Sequence, residues 1–160
     1  MLRIVPAISE EAISQVRNLF REYARTPGVA PCVEDFDREV SALPGLYAPP
    51  RGRLLLAMHE RPENIAEAVG CAALRELEPE VCEMKRLYVR PTVRGKGAGR
   101  KLVEALIMDA RSTGYRRMVL DTLPSMQEAH KLYRALGFRE IPPYSKKPIP
   151  GALFFEYSLT

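Results

Sequence analysis

VCEMKRLYVRPTVRGKGAGRKLVEALIMDAR, residues Val81 to Arg111, sets a strand, a glycine-rich turn crowded with cations, and an amphipathic helix in direct succession. Arg94, Lys96, Arg100 and Lys101 surround the start of that helix. The helix macrodipole is positive there, so each cation costs roughly 0.3–1 kcal/mol. No Ser, Thr, Asp or Asn stands ready to cap the helix, and the first N–H groups of a helix need partners. A multiply phosphorylated ligand would satisfy both the free N–H groups and the crowded charge. Gly95, Gly97 and Gly99 let the backbone approach such a ligand closely. The turn is neither a Walker A motif, since no GK[ST] ends it, nor a Rossmann fingerprint.

Outward from this segment the chain alternates strand and helix signals. Leu2 to Val5 reads as a strand, and Ser9 caps a helix running to about Ala24 with Ile13, Val16, Leu19, Phe20 and Tyr23 on one face. A shorter helix is expected over Val33 to Leu43. Strands are expected over Arg53 to His59, Ala66 to Leu77 and Val81 to Val89. The helix after the turn should cover Arg100 to Ser112, closed by Gly114. A strand from Tyr115 to Thr122, a helix capped by Ser125 and ending at Leu136, and strands over Phe138–Ile141 and Ala152–Leu159 complete the chain. The order indicates an α/β domain with a mixed sheet, and 160 residues without a linker suggest one domain over residues 1–160.

Composition narrows the function. A hydrophobic fraction of 46% is ordinary for a globular protein, and no apolar run reaches the roughly 20 residues of a membrane span. No signal peptide opens the sequence, and Cys32, Cys71 and Cys82 form no disulfide or metal-ligand set, which points to a cytoplasmic protein with reduced thiols. Net charge is +4, but the cations concentrate between Lys85 and Lys101 with no acid among them. One compact patch suits a small polyanion better than nucleic acid.

Arg94-Gly95-Lys96-Gly97-Ala98-Gly99 matches the [Q/R]-x-x-G-x-[G/A] signature of the GNAT superfamily of acyl-CoA-dependent N-acetyltransferases. Leu87-Tyr88-Val89 followed by Arg90-Pro91, and the later run Ala129 to Phe138 (AHKLYRALGF), resemble two further family segments. The resemblance covers nearly the whole chain. It implies a central mixed, largely antiparallel sheet, splayed near the fourth strand and flanked by helices. It implies acetyl-CoA as co-substrate, with its pyrophosphate on the N–H groups of Arg94, Gly95, Lys96, Gly97, Ala98 and Gly99, and Arg100 beside them. Leu87 and Val89, with Tyr88 between, would pair through their main chains with the pantetheine arm. Many relatives carry Asn where this chain has Met126, and Ser125 is expected to substitute as a cofactor contact.

The implied reaction is direct acetyl transfer to a primary amine, on a small molecule or a peptide. Protein N-termini or lysines are an alternative acceptor, and a non-catalytic acyl-CoA-binding domain is a rival. Deprotonating a lysine side chain at pH 7 costs about 4–5 kcal/mol, against about 1.4 kcal/mol for an α-amine near pKa 8. Glu83, four residues before Leu87, stands where several relatives place a catalytic glutamate; the alternative is a pairing with Lys85 on the same strand face. Tyr133 matches the tyrosine by which relatives protonate the departing thiolate; otherwise it is a core aromatic. Lys85 and Arg86, adjacent in a strand, should point to opposite faces; one could face the substrate cleft, and each is equally expected as an ion-pair partner. Asp121 and Thr122 end a strand on the side where open sheets bind ligands. Tyr23, Tyr47 and Tyr144 are candidate substrate contacts, within or beside the loops Arg25–Pro50 and Pro142–Pro150. Cys82 reads as structural, and His130 as facing solvent. No metal site is expected, and dimers are common among relatives.

Overall fold

The computed structural model describes residues 1–29 and 35–160. Its elements run β1 (Leu2–Pro6), α1 (Glu10–Ala24), α2 (Phe36–Ser41), β2 (Arg53–Arg61), β3 (Ile65–Glu78), β4 (Val81–Val89), α3 (Ala98–Thr113), β5 (Arg117–Thr122), α4 (Gln127–Leu136), β6 (Arg139–Ile141) and β7 (Leu153–Ser158). The order of strands and helices is the one the sequence implies. The second helix is shorter than expected, and Val33 lies outside the described residues. The strands form one sheet in the order β1-β2-β3-β4-β5-β7-β6. Neighbours pair antiparallel except β4 and β5, which run parallel. No helix among the described residues is long and apolar enough to cross a membrane.

Both faces of the sheet are covered. One core joins α3 and α4 to the sheet through Leu102, Leu106, Met118, Leu120 and Phe155. The other seats α1 and α2 through Val16, Phe20, Phe36 and Val40. α1 starts as its sequence dictates, with Ser9 Oγ accepting the Ala12 N–H at 3.1 Å and Glu10 and Glu11 in the first turn. α4 does not: Met126 occupies the N-cap with no side-chain bond, so the expected Ser125 cap is absent. α3 begins at Ala98, two residues earlier than expected, and this puts Arg100 and Lys101 inside its first turns.

The decisive irregularity is in β4. Cys82 and Met84 face the α3 core, as do Leu87 and Val89, so the inward parity changes between Met84 and Leu87. Arg86 causes the change. Its φ is +61°, in the left-handed region where a side chain is disfavoured, and the β3–β4 register slips between Cys71 and Ala73. Arg86 and Lys85 therefore do not take opposite faces as expected. Arg86 turns toward α1 and α2, where it is 8% exposed. There Nε donates to Glu39 Oε2 at 2.8 Å and Nη2 to Oε1 at 3.1 Å, and the guanidinium lies 5.7 Å from the Phe36 ring. β4 leaves β5 just ahead of the bulge: only Val81, Cys82 and Glu83 pair with Arg117, Met118 and Val119.

Glu39→Ala would leave a buried guanidinium unpaired, and we expect a loss of about 3 kcal/mol in urea unfolding. The double variant Glu39→Leu, Arg86→Met should regain most of it. A loss below about 0.5 kcal/mol for the single variant would mean the pair does not hold the bulge.

Candidate active site

The parting of β4 from β5 opens a cleft through the sheet. A cavity of about 290 Å³ lies in it, between Lys85 and Leu87 of β4 and Leu120, Asp121 and Thr122 of β5. Tyr133 of α4 forms its back, and Ser145, Lys147, Pro148 and Ile149 of the β6–β7 loop cover it. A second cavity of about 500 Å³ adjoins it, with Tyr23, Leu87, Met126 and Ala129 as common walls. Its remaining lining includes Tyr88, Val89, Arg94, Gly95, Gly97, Ala98, Gly99, Arg100 and Ser125. All the sequence-selected cofactor residues line this second space except Lys96, which does not.

The turn is built by conformation rather than by lack of room. Gly95 and Gly97 have φ of +81° and +85°, and a Cβ at either would meet nothing within 4 Å. Gly97 occupies the N-cap of α3, and no side chain caps the helix. Arg94 Nε donates to the Val89 carbonyl at 2.9 Å, and Arg100 faces Glu104 one turn on at 3.4 Å. Lys96 and Lys101 join no ion pair among the described residues. Ser125 packs against the loop after α1: its Oγ lies 3.0 Å from where a Cβ on Gly28 would sit.

Two carboxylates stand on the α1 side of the cleft, in different conditions. Glu83 is buried. Arg75 Nε donates to its Oε1 at 2.8 Å, and Tyr144 Oη donates to its Oε2 at 2.5 Å. The expected alternative, a pairing with Lys85, is not made, and Glu83 lines neither cavity. Asp121 does line the smaller one and is open to it. Crowding by protein atoms raises its pKa above the usual carboxylate value, with Lys85 partly opposing the shift. Among the described residues Asp121 forms no ion pair and meets no side-chain donor.

Tyr133 packs its ring between Phe138 and Phe155, at centroid distances of 5.5 and 5.8 Å. Burial raises its pKa, so the phenol stays protonated at neutral pH. Its hydroxyl takes no partner among the described residues. Since no buried side-chain nitrogen or oxygen among them lacks a partner, that hydroxyl opens on the cavity.

Other candidates fall elsewhere. Tyr47 is 2% exposed and donates to Glu39 at 3.0 Å, so it supports the Arg86 pair instead of contacting substrate. Tyr23 lines both cavities, whereas Tyr144 reaches Glu83. His130 does not face solvent as expected. It is buried, with Nε2 3.0 Å from the Leu123 carbonyl, and burial lowers its pKa. Cys82 is buried with its thiol pushed up to about 12, chiefly by desolvation, which fits its structural reading. Sequence reasoning missed Arg75 and Glu39, whereas the cover formed by Ser145–Ile149 lies within the Pro142–Pro150 loop it had singled out. Glu39 and Arg86 are 47 residues apart, and no spacing rule links them.

The family model described as Acetyltransferase (GNAT) family matches residues 13–138. An uncharacterized N-acetyltransferase of Schizosaccharomyces pombe is 35% identical over 149 residues, covering 92% of this chain and 89% of its own. Among solved structures, a GNAT-family acetyltransferase from Staphylococcus aureus superposes with a TM-score of 0.81 at 19% identity over the full length of both chains. The Salmonella typhimurium protein yncA, solved with its cofactor acetyl-CoA, gives 0.70 at 19% identity, covering 100% of this chain and 95% of that one. With the signature turn at an uncapped helix start, a sheet parted beside it and this family match across most of its length, the chain belongs to the acetyltransferase (GNAT) family.

Proposed function

We propose that this protein transfers an acetyl group from acetyl-CoA directly to a primary amine within a ternary complex. The observation that carries the reading is the junction of two unlike cavities at the β4–β5 parting. One is lined by the glycine turn and its cations, and the other by a free carboxylate and a free phenol. The uncapped N-terminus of α3 supplies N–H donors to a pyrophosphate, and Arg94, Lys96 and Arg100 offset its charge. Leu87 and Val89 beyond the bulge have no strand partner on the β5 side; the Val89 carbonyl accepts from Arg94 Nε, and the rest of this edge would face an extended pantetheine arm. The acetyl-CoA bound to the Salmonella typhimurium neighbour supports this choice of co-substrate.

In the reaction the amine nitrogen forms a bond to the acetyl carbonyl carbon while the bond from that carbon to sulfur breaks. An ammonium must lose one proton before attack and a second afterwards, and the departing thiolate gains one. Asp121 is the carboxylate placed to take a proton from the amine, and Tyr133 is the donor placed for the thiolate. Transfer from a phenol near 10 to a thiolate near 8.5 is uphill by about 2 kcal/mol, and burial steepens it. Tyr133 therefore acts first as a hydrogen bond to the developing sulfur charge. Glu83, sealed by Arg75 and Tyr144, acts on protons only through an intermediary. Its direct effect is to fix Tyr144, and with it the loop that covers the cavity.

Tyr133→Phe should lower kcat by roughly 10²-fold with little change in acetyl-CoA affinity, read by thiol release; full turnover would remove the acid role. Asp121→Asn should abolish the acidic limb of the kcat/KM profile, because only the ionised carboxylate accepts a proton. If that limb survives in Asp121→Asn and disappears in Glu83→Gln, the base is Glu83. Replacing Arg94 and Lys96 together by Ala should weaken acetyl-CoA binding by about tenfold in calorimetry, with apo stability changed by less than about 0.5 kcal/mol. A large loss of apo stability would show that these cations serve the fold.

A further inference from the structure

The charges left free in the smaller cavity describe its acceptor. Arg86 is engaged with Glu39, and Glu83 with Arg75 and Tyr144, so none of these is available to a ligand. Three charged groups remain on the lining: Lys85, Lys147 and Asp121. Lys85 makes no ion pair or side-chain hydrogen bond among the described residues, although a carboxylate in the same cavity attracts it from beyond ion-pair distance. Lys147 projects from the covering loop and likewise has no ion pair among them. The balance is two cations against one anion.

A half-buried lysine that declines the carboxylate nearby remains available for another negative group. The volume of about 290 Å³ admits a small molecule and is at the low end for ligand cavities. We infer that the acceptor is a free amino acid, its ammonium received by Asp121 and its carboxylate by Lys85 and Lys147; this rests on the acetyl-transfer reading above. The charge count agrees with the reacting form. Once the proton has passed through Asp121 to solvent, the amino acid carries one negative charge, and the three groups around it, with Asp121 ionised again, sum to one positive charge. A peptide N-terminus or a lysine side chain within a protein lacks the carboxylate and leaves both lysines unmatched.

The test compares L-amino acids with their α-carboxamides as acceptors, using thiol release from acetyl-CoA. The amide lacks the negative charge that holds a proton on the neighbouring amine, so it presents more neutral amine at pH 7. Intrinsic reactivity thus favours the amide, and a preference for the acid reports recognition. We expect the best amino acid to exceed its amide at least tenfold in kcat/KM, the scale of one charge-assisted hydrogen bond. Lys85→Met with Lys147→Met should bring that ratio to within about twofold while leaving acetyl-CoA affinity unchanged, which also shows that the variant is folded. Turnover of amides or simple amines in preference to acids would overturn the inference and leave acetyl transfer standing. So would a ratio that survives in the double variant. No thiol release from any acceptor, acid or amide, would sink both.

Discussion

An arginine buried in the middle of a strand, in a left-handed conformation, is the constraint on which this site depends. Arg86 would be costly twice over, once for the strained backbone and once for the desolvated charge. Glu39 offsets the charge by a two-point hydrogen bond, and the rings of Tyr23 and Phe36 flank the guanidinium. The pair fixes the extra residue in β4, and the extra residue reverses the faces of everything after it. Leu87 and Val89 then turn to the α3 side, while β4 swings away from β5. The β4–β5 pairing ends at Glu83, just ahead of the bulge, and the two cavities meet where it is lost.

The parting also explains how groups from opposite faces can line one cavity. Asp121 alternates with Leu120 on β5 and so belongs to the α1 side of the sheet. Tyr133 belongs to α4 and the opposite core. In an unbroken sheet the backbone would separate them. Here both line one cavity, and the carboxylate even contributes to the raised pKa of the phenol. The meeting of the two side chains across the sheet is thus a consequence of lost backbone hydrogen bonds.

Local signals made most of the fold legible. Ser9, the 3.6-residue spacing of α1, Gly114 and Gly137 act through contacts within a few residues of themselves, and the elements appear where those signals put them. The glycine turn was legible for the same reason: the positive φ values and the missing cap are properties of six consecutive residues. What failed was whatever depended on distant partners. Alternation put Lys85 and Arg86 on opposite faces because nothing near them announces a bulge, and Glu39 lies on another element. The position of Glu83 in its strand is visible in sequence, but its bonds to Tyr144 and Arg75 are not, since these arrive from 61 residues after it and 8 before it. His130 sits among polar neighbours in sequence, and only the approach of Phe155 and Leu123 buries it.

The two cavities differ in how they match charge, and this follows from what each ligand can bring. The glycine turn gathers cations at a helix end that already repels them, an arrangement whose cost falls only when a polyanion is present. Its surplus is large and exposed, suited to capture from solution. The inner cavity holds its charges at lower density and internally almost balanced, with Arg86 and Glu83 neutralised by their own partners. In the acetyl transfer proposed above, a surplus as large as that of the turn, placed beside the thioester, would raise the cost of bringing in any ammonium acceptor and would hold the thiolate product. On that reading, confining the strong positive field to the turn and leaving one carboxylate free beside Tyr133 lets the fold bind a highly charged donor at one end of the parting and accept a cationic amine at the other.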